Sequence, residues 1–218
     1  MVQISASLLA ADYANLGLEV ARAERAGVDS FHFDMMDGHY APNIALAPQH
    51  LVSLRRHTRL QFIVHLELSN PEEVLNHFAP LEADAIVVMW DTLTDPLQIF
   101  AAIRAQGKAV GLSLNPQDSL AAACYLFPLI DILIILGVQP GFGGQPMHPG
   151  TVEKIAEAVK LIKSMGLSIP IQVDGGVNQA NAPDLIRGGA DILIIGTALF
   201  QARDIRCFVK DIKGFAVE

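Results

Sequence analysis

Short apolar runs alternate along the chain with longer segments in which apolar residues recur at a helical period. Each run is almost continuously apolar, as expected of a parallel strand that is covered on both faces. The pattern predicts eight strands, at residues 2–9, 30–34, 60–66, 85–89, 109–114, 132–136, 169–173 and 192–195. Alternation of strands and helices is typical of α/β proteins with a parallel sheet.

The segments between the runs carry helix signals. Residues 15–25 and 151–163 each place apolar side chains on one stripe of a helix. Gly27 and Gly189 stand between a predicted helix and the next strand, where a left-handed residue commonly ends a helix. An aspartate follows two residues after each of these glycines, and this recurring Gly-x-Asp phrase marks the entry into a strand.

The number of strand–helix units sets the fold. Eight such units in 218 residues have the size of a compact (β/α)₈ barrel. No linker, charge block or low-complexity segment divides the chain. The predicted fold is therefore α/β, a single (β/α)₈ TIM barrel domain that spans residues 1–218.

Composition narrows the range of partners. Hydrophobic residues make up 51% of the chain, and the formal net charge of −8 argues against nucleic acid or an acidic membrane surface as a partner. The two cysteines are too isolated for a disulfide framework, and no apolar run has the length of a membrane span. The first residues lack the features of a secretory signal peptide. We therefore predict a cytoplasmic protein that binds neither nucleic acid nor membrane.

Four polar residues at predicted strand ends suggest a metal site. His32 and Asp34 share one face of the second strand, because side chains two apart on a strand point the same way. His65 ends the third strand and Asp174 follows the seventh. Any one of them alone would most simply be a hydrogen-bonded polar residue, but strand ends of a barrel converge at its active-site face. Mixed nitrogen and oxygen ligands suit one divalent metal ion such as Zn, Fe, Mn or Co.

Glycine-bearing loops suggest a phosphate site on the same face. Residues 140–145 follow the sixth strand, Gly175 and Gly176 follow the seventh, and Gly196 and Thr197 follow the eighth. Glycines expose backbone N–H groups to close approach, and barrels often bind phosphate after their last two strands. Because the loops carry no Lys or Arg, we predict that backbone N–H groups hold the phosphate.

The predicted metal and phosphate residues lie within short sequence motifs. They are Ser7-Leu8-Leu9-Ala10-Ala11-Asp12, His32-Phe33-Asp34-Met35-Met36-Asp37-Gly38-His39, Pro42-Asn43, Val64-His65-Leu66, Leu114-Asn115-Pro116, Pro140-Gly141-Phe142-Gly143-Gly144-Gln145, Val173-Asp174-Gly175-Gly176-Val177 and Gly196-Thr197-Ala198. Through these motifs the chain resembles the ribulose-phosphate 3-epimerase family over residues 4–200. The second and sixth motifs are the most specific.

The resemblance implies a barrel enzyme that interconverts D-ribulose 5-phosphate and D-xylulose 5-phosphate with one divalent metal ion. It implies His32, Asp34, His65 and Asp174 as metal ligands, with Asp34 and Asp174 as the catalytic acid/base pair. The expected substrate-binding residues are Ser7, His65, Gly141, Phe142, Gly143, Gly144, Gly175, Gly176, Gly196 and Thr197. The predicted partners are a small ketose phosphate and further copies of the chain in a homo-oligomer.

Elementary chemistry agrees with this expectation. Inversion of a carbon next to a carbonyl requires removal of a proton on one face and delivery of a proton on the other. Two carboxylates, one ionised and one protonated, can perform both steps. The intermediate is an ene-diolate, and a metal ion beside its oxygens would stabilise the developing charge.

The chain departs from the family pattern at positions that should line or underlie the site. This chain has Ala6 where the family usually has Pro, Ile63 where it has Asp, and Glu67 where it has Met. It has Met89 where the family usually has His, Leu136 where it has Met, and Gln172 where it has Glu. We predict that Met36, Glu67, Met89 and Leu136 influence which sugar is accepted. Glu67 lies on the strand face of His65, so a change of sugar preference follows only if its side chain points inward.

Three alternatives stay open at this point. The first is 3-epimerisation of another ketose phosphate, such as a hexulose 6-phosphate. The second is a decarboxylase or aldolase type of barrel, which would need a lysine at a strand end, where this chain shows none. The third is a catalytically silent sugar-phosphate-binding barrel, which would not require both carboxylates of the acid/base pair.

Overall fold

The computed structural model describes residues 2–77 and 82–215. Eight parallel strands close into a barrel, and a short ninth strand, β3, pairs antiparallel with β2. In chain order the strands are β1 (Gln3–Ser7), β2 (Ser30–Asp37), β3 (Ile44–Ala45), β4 (Gln61–Glu67), β5 (Ala85–Met89), β6 (Ala109–Leu114), β7 (Ile132–Leu136), β8 (Ile171–Asp174) and β9 (Ile192–Ile195). The predicted (β/α)₈ barrel is confirmed.

Helices surround the barrel on the described part of the chain. They are α1 (Leu16–Ala26), α2 (Pro48–Arg55), α3 (Pro71–His77), α4 (Pro96–Ala105), α5 (Leu120–Ala123), α6 (Thr151–Ser164), α7 (Ala182–Gly188), α8 (Thr197–Phe200) and α9 (Ile205–Gly214). Gly27 and Gly189 end α1 and α7 in the left-handed conformation, as the sequence predicts. Among the described residues no helix has both the length and the apolarity to cross a bilayer.

Strand bounds differ from the prediction by a few residues. The first predicted strand extends to residue 9, whereas β1 ends at Ser7 and the chain turns into a 3₁₀ helix at Leu8–Ala10. The seventh predicted strand begins at residue 169, but β8 begins only at Ile171. Pro170 has no N–H to donate to a strand ladder, which accounts for the later start.

The barrel interior combines apolar side chains with a few buried polar ones, such as Ser5, Ser113 and Gln172, and its ionisable side chains gather at one end. Side chains of alternate residues meet inside the barrel, at Ile63, Ala85, Val87, Met89, Ile132, Ile134, Leu136 and Ile194. The intervening residues pack outward against the helices, so both faces of each strand are buried. At the carboxyl ends of β2 and β4 the interior residues are His32, Asp34, His65 and Glu67, all at most 3% exposed. This polar end positions the site.

The opposite end of the barrel is closed by a repeated aspartate contact. An aspartate just before β2, β5, β7 or β9 donates its backbone N–H to a carbonyl near the start of the preceding barrel strand, at 2.7–2.9 Å. Its carboxylate accepts the N–H of that same residue, each time at 2.8 Å. The four pairs are Asp29 with Ile4, Asp84 with Phe62, Asp131 with Val110, and Asp191 with Ile171. This explains the aspartate of the Gly-x-Asp phrase, which joins neighbouring strands at their entry.

Removal of one such contact should lower stability. In Asp191→Ala the buried N–H of Ile171 loses its carboxylate partner, and an unsatisfied buried donor costs ~1–3 kcal/mol in the free energy of unfolding. The control is Asp184→Ala, which breaks an exposed ion pair with Arg187 that should contribute ~1 kcal/mol or less. Urea unfolding of both variants measures the difference. Equal losses would contradict a structural role for the Asp191 contact.

Candidate active site

Three barrel strands place the four predicted metal ligands. His32 and Asp34 point inward from β2, and His65 points inward from β4, where it stands in register with Asp34. Asp174 is the last residue of β8, which lies beyond β1 and β9 on the other side of β2. Ring closure therefore brings together residues that are far apart in sequence.

One ligand atom of each side chain faces a common point. These four atoms all lie within 4.8 Å of one another. His32 Nε2 is 3.0 Å from Asp34 Oδ1 and 3.4 Å from Asp174 Oδ2, and His65 Nδ1 is 3.6 Å from Asp34 Oδ1. Both ring nitrogens are buried and neither makes a well-aligned hydrogen bond within the described protein. Atoms that approach closely without hydrogen-bond geometry fit a shared ligand centre, so the set forms a possible metal site.

The charges of the cluster favour a cation at this point. Burial lowers the pKa of His32, but the carboxylates of Asp34 and Asp174 outweigh that effect and raise it to about 10. Burial raises the pKa of Asp34, whereas the imidazoles of His32 and His65 hold it well below its usual range. The positive charge that His32 carries when protonated thus offsets the negative charge of the two carboxylates. A divalent cation can take over that role, because metal binding displaces ligand protons.

Neighbouring side chains fix the orientation of the ligands. The hydroxyl of Ser7 donates a 2.9 Å hydrogen bond to Asp34 Oδ2, which leaves Oδ1 directed at the shared centre. The sulfur of Met89 lies 3.1 Å from His65 Nε2, so Nδ1 is the nitrogen that faces the carboxylates. Such contacts position ligands before a metal ion or substrate arrives.

A cavity extends from the cluster to the glycine loops. Its lining includes Ser7, Asp34 and Asp174 together with the predicted phosphate residues, namely Gly141, Phe142, Gly143, Gly144, Gly175, Gly176, Gly196 and Thr197. Met36, Glu67 and Leu136 also line it. His65 and Met89, both fully buried, lie behind this lining rather than in it.

Backbone conformation explains why glycine occupies the loops. Gly144 and Gly176 adopt positive φ angles of 77° and 73°, which side chains disfavour. A Cβ atom on Gly143 would lie 2.9 Å from Thr197 Oγ1, so the two loops can approach only without a side chain there. No lysine or arginine is among the described residues that line the cavity. An anion in this region would therefore meet backbone N–H groups rather than cationic side chains.

Glu67 points into the cavity, which sequence alone left open. Its side chain is 3% exposed, and Oε1 lies 3.7 Å from His65 Nδ1. The other oxygen, Oε2, has no hydrogen-bond partner in the described protein. Burial and the nearby carboxylates of Asp34 and Asp174 raise the pKa of Glu67 well above its usual value.

A hydrogen-bonded group beside the cavity was missed by sequence reasoning. The Tyr40 hydroxyl donates to Asp91 at 2.9 Å, and Asn115 Nδ2 donates both to that hydroxyl and to Asp91 Oδ2. These residues come from the loops after β2, β5 and β6, and only Asn115 and Tyr40 stand in or next to a motif. Gln145, for which the motif suggested no role, donates to the carbonyls of Gln139 and Phe142 and so shapes the loop after β7.

Of the remaining histidines, His39, His57 and His148 are exposed and stand apart from the metal-ligand group found among the described residues. His50 is half-buried and accepts the N–H of Ala47 at the start of α2. The side chain of His77 lies outside the described part of the structure.

Comparisons with known proteins agree with this architecture. The Ribulose-phosphate 3 epimerase family matches residues 3–200 of the chain. The ribulose-phosphate 3-epimerase of Chlamydia pneumoniae is 37% identical over 203 residues, which cover 92% of this chain and 89% of that protein. The enzyme of the same name from Bacillus subtilis is 34% identical over 215 residues, covering 98% and 99%.

Solved structures of more distant sequence share the fold. Phosphoribosyl anthranilate isomerase from Thermus thermophilus has a TM-score of 0.70 at 13% identity and covers 99% of this chain and 100% of its own. At that identity the likeness concerns the barrel alone. The family match and the two close relatives carry the assignment, and they confirm the resemblance found in the sequence: the chain belongs to the ribulose-phosphate 3-epimerase family of isomerases.

Proposed function

We propose that the protein interconverts D-ribulose 5-phosphate and D-xylulose 5-phosphate by inversion at C3. The observation that carries this proposal is the convergence of two aspartates from separate strands on one point in a cavity that glycine-bearing loops also line. Binding alone would require the glycine loops but not a pair of inward carboxylates at the other end. The family assignment supports the same reaction.

Asp34 and Asp174 form the acid/base pair in this proposal. In one direction, one carboxylate removes the C3 proton and the other carboxyl group delivers a proton to the opposite face of C3. One turnover leaves the two carboxyl groups with exchanged protonation states, and this is the starting state for the reverse direction. Proton exchange with water returns them to their first state before the next turnover in the same direction. The hydrogen bond from Ser7 holds Asp34 in place for this transfer. His32, Asp34, His65 and Asp174 would hold a divalent cation, which when bound supplies positive charge that stabilises the ene-diolate.

The phosphate lies against the loops after β7, β8 and β9 in this proposal. Neutral N–H groups in a concave backbone segment can bind an anion without a cationic side chain. Fixing the phosphate there holds C3 between the two aspartates at a defined distance along the cavity. Binding energy from the unreactive phosphate thus positions the reacting carbon.

Proton exchange in deuterated water tests the reaction and the acid/base pair. With a panel of ketopentose and ketohexose phosphates, the metal-loaded protein should incorporate deuterium at C3 of D-xylulose 5-phosphate fastest. Asp174→Asn should lower turnover by ~10²–10⁴-fold, as is typical of a positioned acid/base group. Metal content is measured in parallel because Asp174 is also a proposed ligand.

Two results would contradict these assignments. A higher rate with a ketohexose phosphate would replace the proposed substrate by the hexulose alternative. Near-normal turnover of fully metal-loaded Asp174→Asn protein would refute its role in proton transfer.

A matched pair of glycine variants tests the phosphate site. Gly144→Ala and Gly107→Ala introduce a side chain at similar positive φ angles, 77° and 71°, so both should lose about 1 kcal/mol of stability. A Cβ on Gly144 would project toward Thr197 in the cavity, whereas one on Gly107 would meet nothing within 4 Å. We expect the KM for the ketose phosphate to rise about tenfold or more only in Gly144→Ala, since roughly 1.4 kcal/mol of lost binding corresponds to that factor. Unchanged KM in both would place the phosphate elsewhere.

A further inference from the structure

Glu67 has no part in the reaction described above, although it lies beside the reacting groups. Its carboxyl is nearly inaccessible from outside yet lines the cavity, and Oε2 has no hydrogen-bond partner in the described protein. The other oxygen, Oε1, lies 3.7 Å from His65 Nδ1, a distance longer than a hydrogen bond. Such a buried and unpaired carboxyl is unfavourable unless a ligand supplies a donor.

The position of Glu67 in the ring shows which part of a ligand it can meet. β4 is four strands from β8 in either direction around the eight-stranded barrel, so the two strands lie opposite each other. The phosphate loops follow β8 and its neighbours β7 and β9. Asp34 lies between these two sides of the ring, on β2. Glu67 and the phosphate loops therefore stand at opposite ends of the cavity.

A 2-ketose phosphate has one hydroxyl that fits this end. If the phosphate lies against the glycine loops and C3 lies between the two aspartates, the hydroxymethyl group at C1 extends toward β4. We propose that Glu67 accepts a hydrogen bond from the C1 hydroxyl and is the residue that selects substrates carrying that hydroxyl. This inference rests on the proposed function, because it uses the placement of phosphate and C3 given there.

The other side chains nearby leave this role to Glu67. Met36 and Leu136 line the cavity with apolar groups that make at most weak hydrogen bonds. The Ser7 hydroxyl already donates its proton to Asp34. A substrate without the C1 hydroxyl would leave the Glu67 carboxyl buried and unpaired. Sites built to hydrogen-bond one hydroxyl reject the analogue that lacks it far more strongly than apolar pockets reject a changed methylene.

The test compares D-xylulose 5-phosphate with 1-deoxy-D-xylulose 5-phosphate, which differs only at C1. Exchange of the C3 hydrogen in deuterated water gives kcat and KM for both compounds. Equilibrium titration of the protein with each compound gives the dissociation constants. We expect the wild-type protein to prefer the hydroxylated compound by roughly 10²-fold or more in kcat/KM. Glu67→Met should reduce this preference to about tenfold or less, since its thioether is a weak acceptor.

Glu67→Gln is the matched control, because its amide oxygen still accepts a hydrogen bond. It should keep most of the preference for the C1 hydroxyl in both rates and dissociation constants. Thermal unfolding of all three proteins shows whether they fold alike. If Glu67→Met does not fold, the wild-type preference decides: a ratio near one overturns the inference.

The possible failures are distinguishable. If the wild-type and Glu67→Met proteins show the same preference for the C1 hydroxyl, the role of Glu67 is overturned. Exchange at C3 in both proteins would still support the proposed epimerase activity. Absence of exchange at C3 of either compound in the metal-loaded wild-type protein would contradict the proposed function and, with it, this inference.

Discussion

Charge compensation in a buried space is the constraint on which the site depends. Asp34 and Glu67 each expose 3% of their surface, and His32 and His65 expose none. Isolated charges at such depth would be strongly unfavourable, so they persist only where opposite charge lies beside them. The two imidazoles face the carboxylates of Asp34 and Asp174 at 3.0–4.0 Å. This arrangement suits a divalent cation, because the cation would neutralise the same carboxylates that raise the pKa of His32.

The two ends of the barrel perform separate tasks. At the entry of the strands, aspartates such as Asp29 and Asp191 bind the backbone of the neighbouring strand and close the ring. At the carboxyl ends, the acids instead face the interior and one another. Ring closure makes the second arrangement possible, since it sets β8 opposite β4 and brings Asp174 to His32. The contacts that stabilise the barrel and the residues of the candidate active site thus lie at opposite ends of the strands.

Periodicity predicts the strands and the shared face of His32 and Asp34, because burial of both faces and alternation of side chains are properties of a single strand. The orientation of Glu67 could not be predicted in this way. At the last residue of a strand, the same face can meet either the interior or solvent. The Tyr40–Asp91 contact was also beyond reach, since it joins separate loops whose distance is set by the closed ring. Sequence thus predicts what one strand determines and fails where several loops meet.

The central claim is that one divalent cation is held by His32, Asp34, His65 and Asp174. The most direct measurement is metal content and affinity of the wild-type protein, of His65→Ala and of His148→Ala, an exposed histidine that serves as control. We predict one ion per chain in the wild-type and control proteins and at least ~10–100-fold weaker binding in His65→Ala, since loss of even a residue that only hydrogen-bonds to a ligand has an effect of that size. Unchanged content and affinity in His65→Ala would contradict the claim.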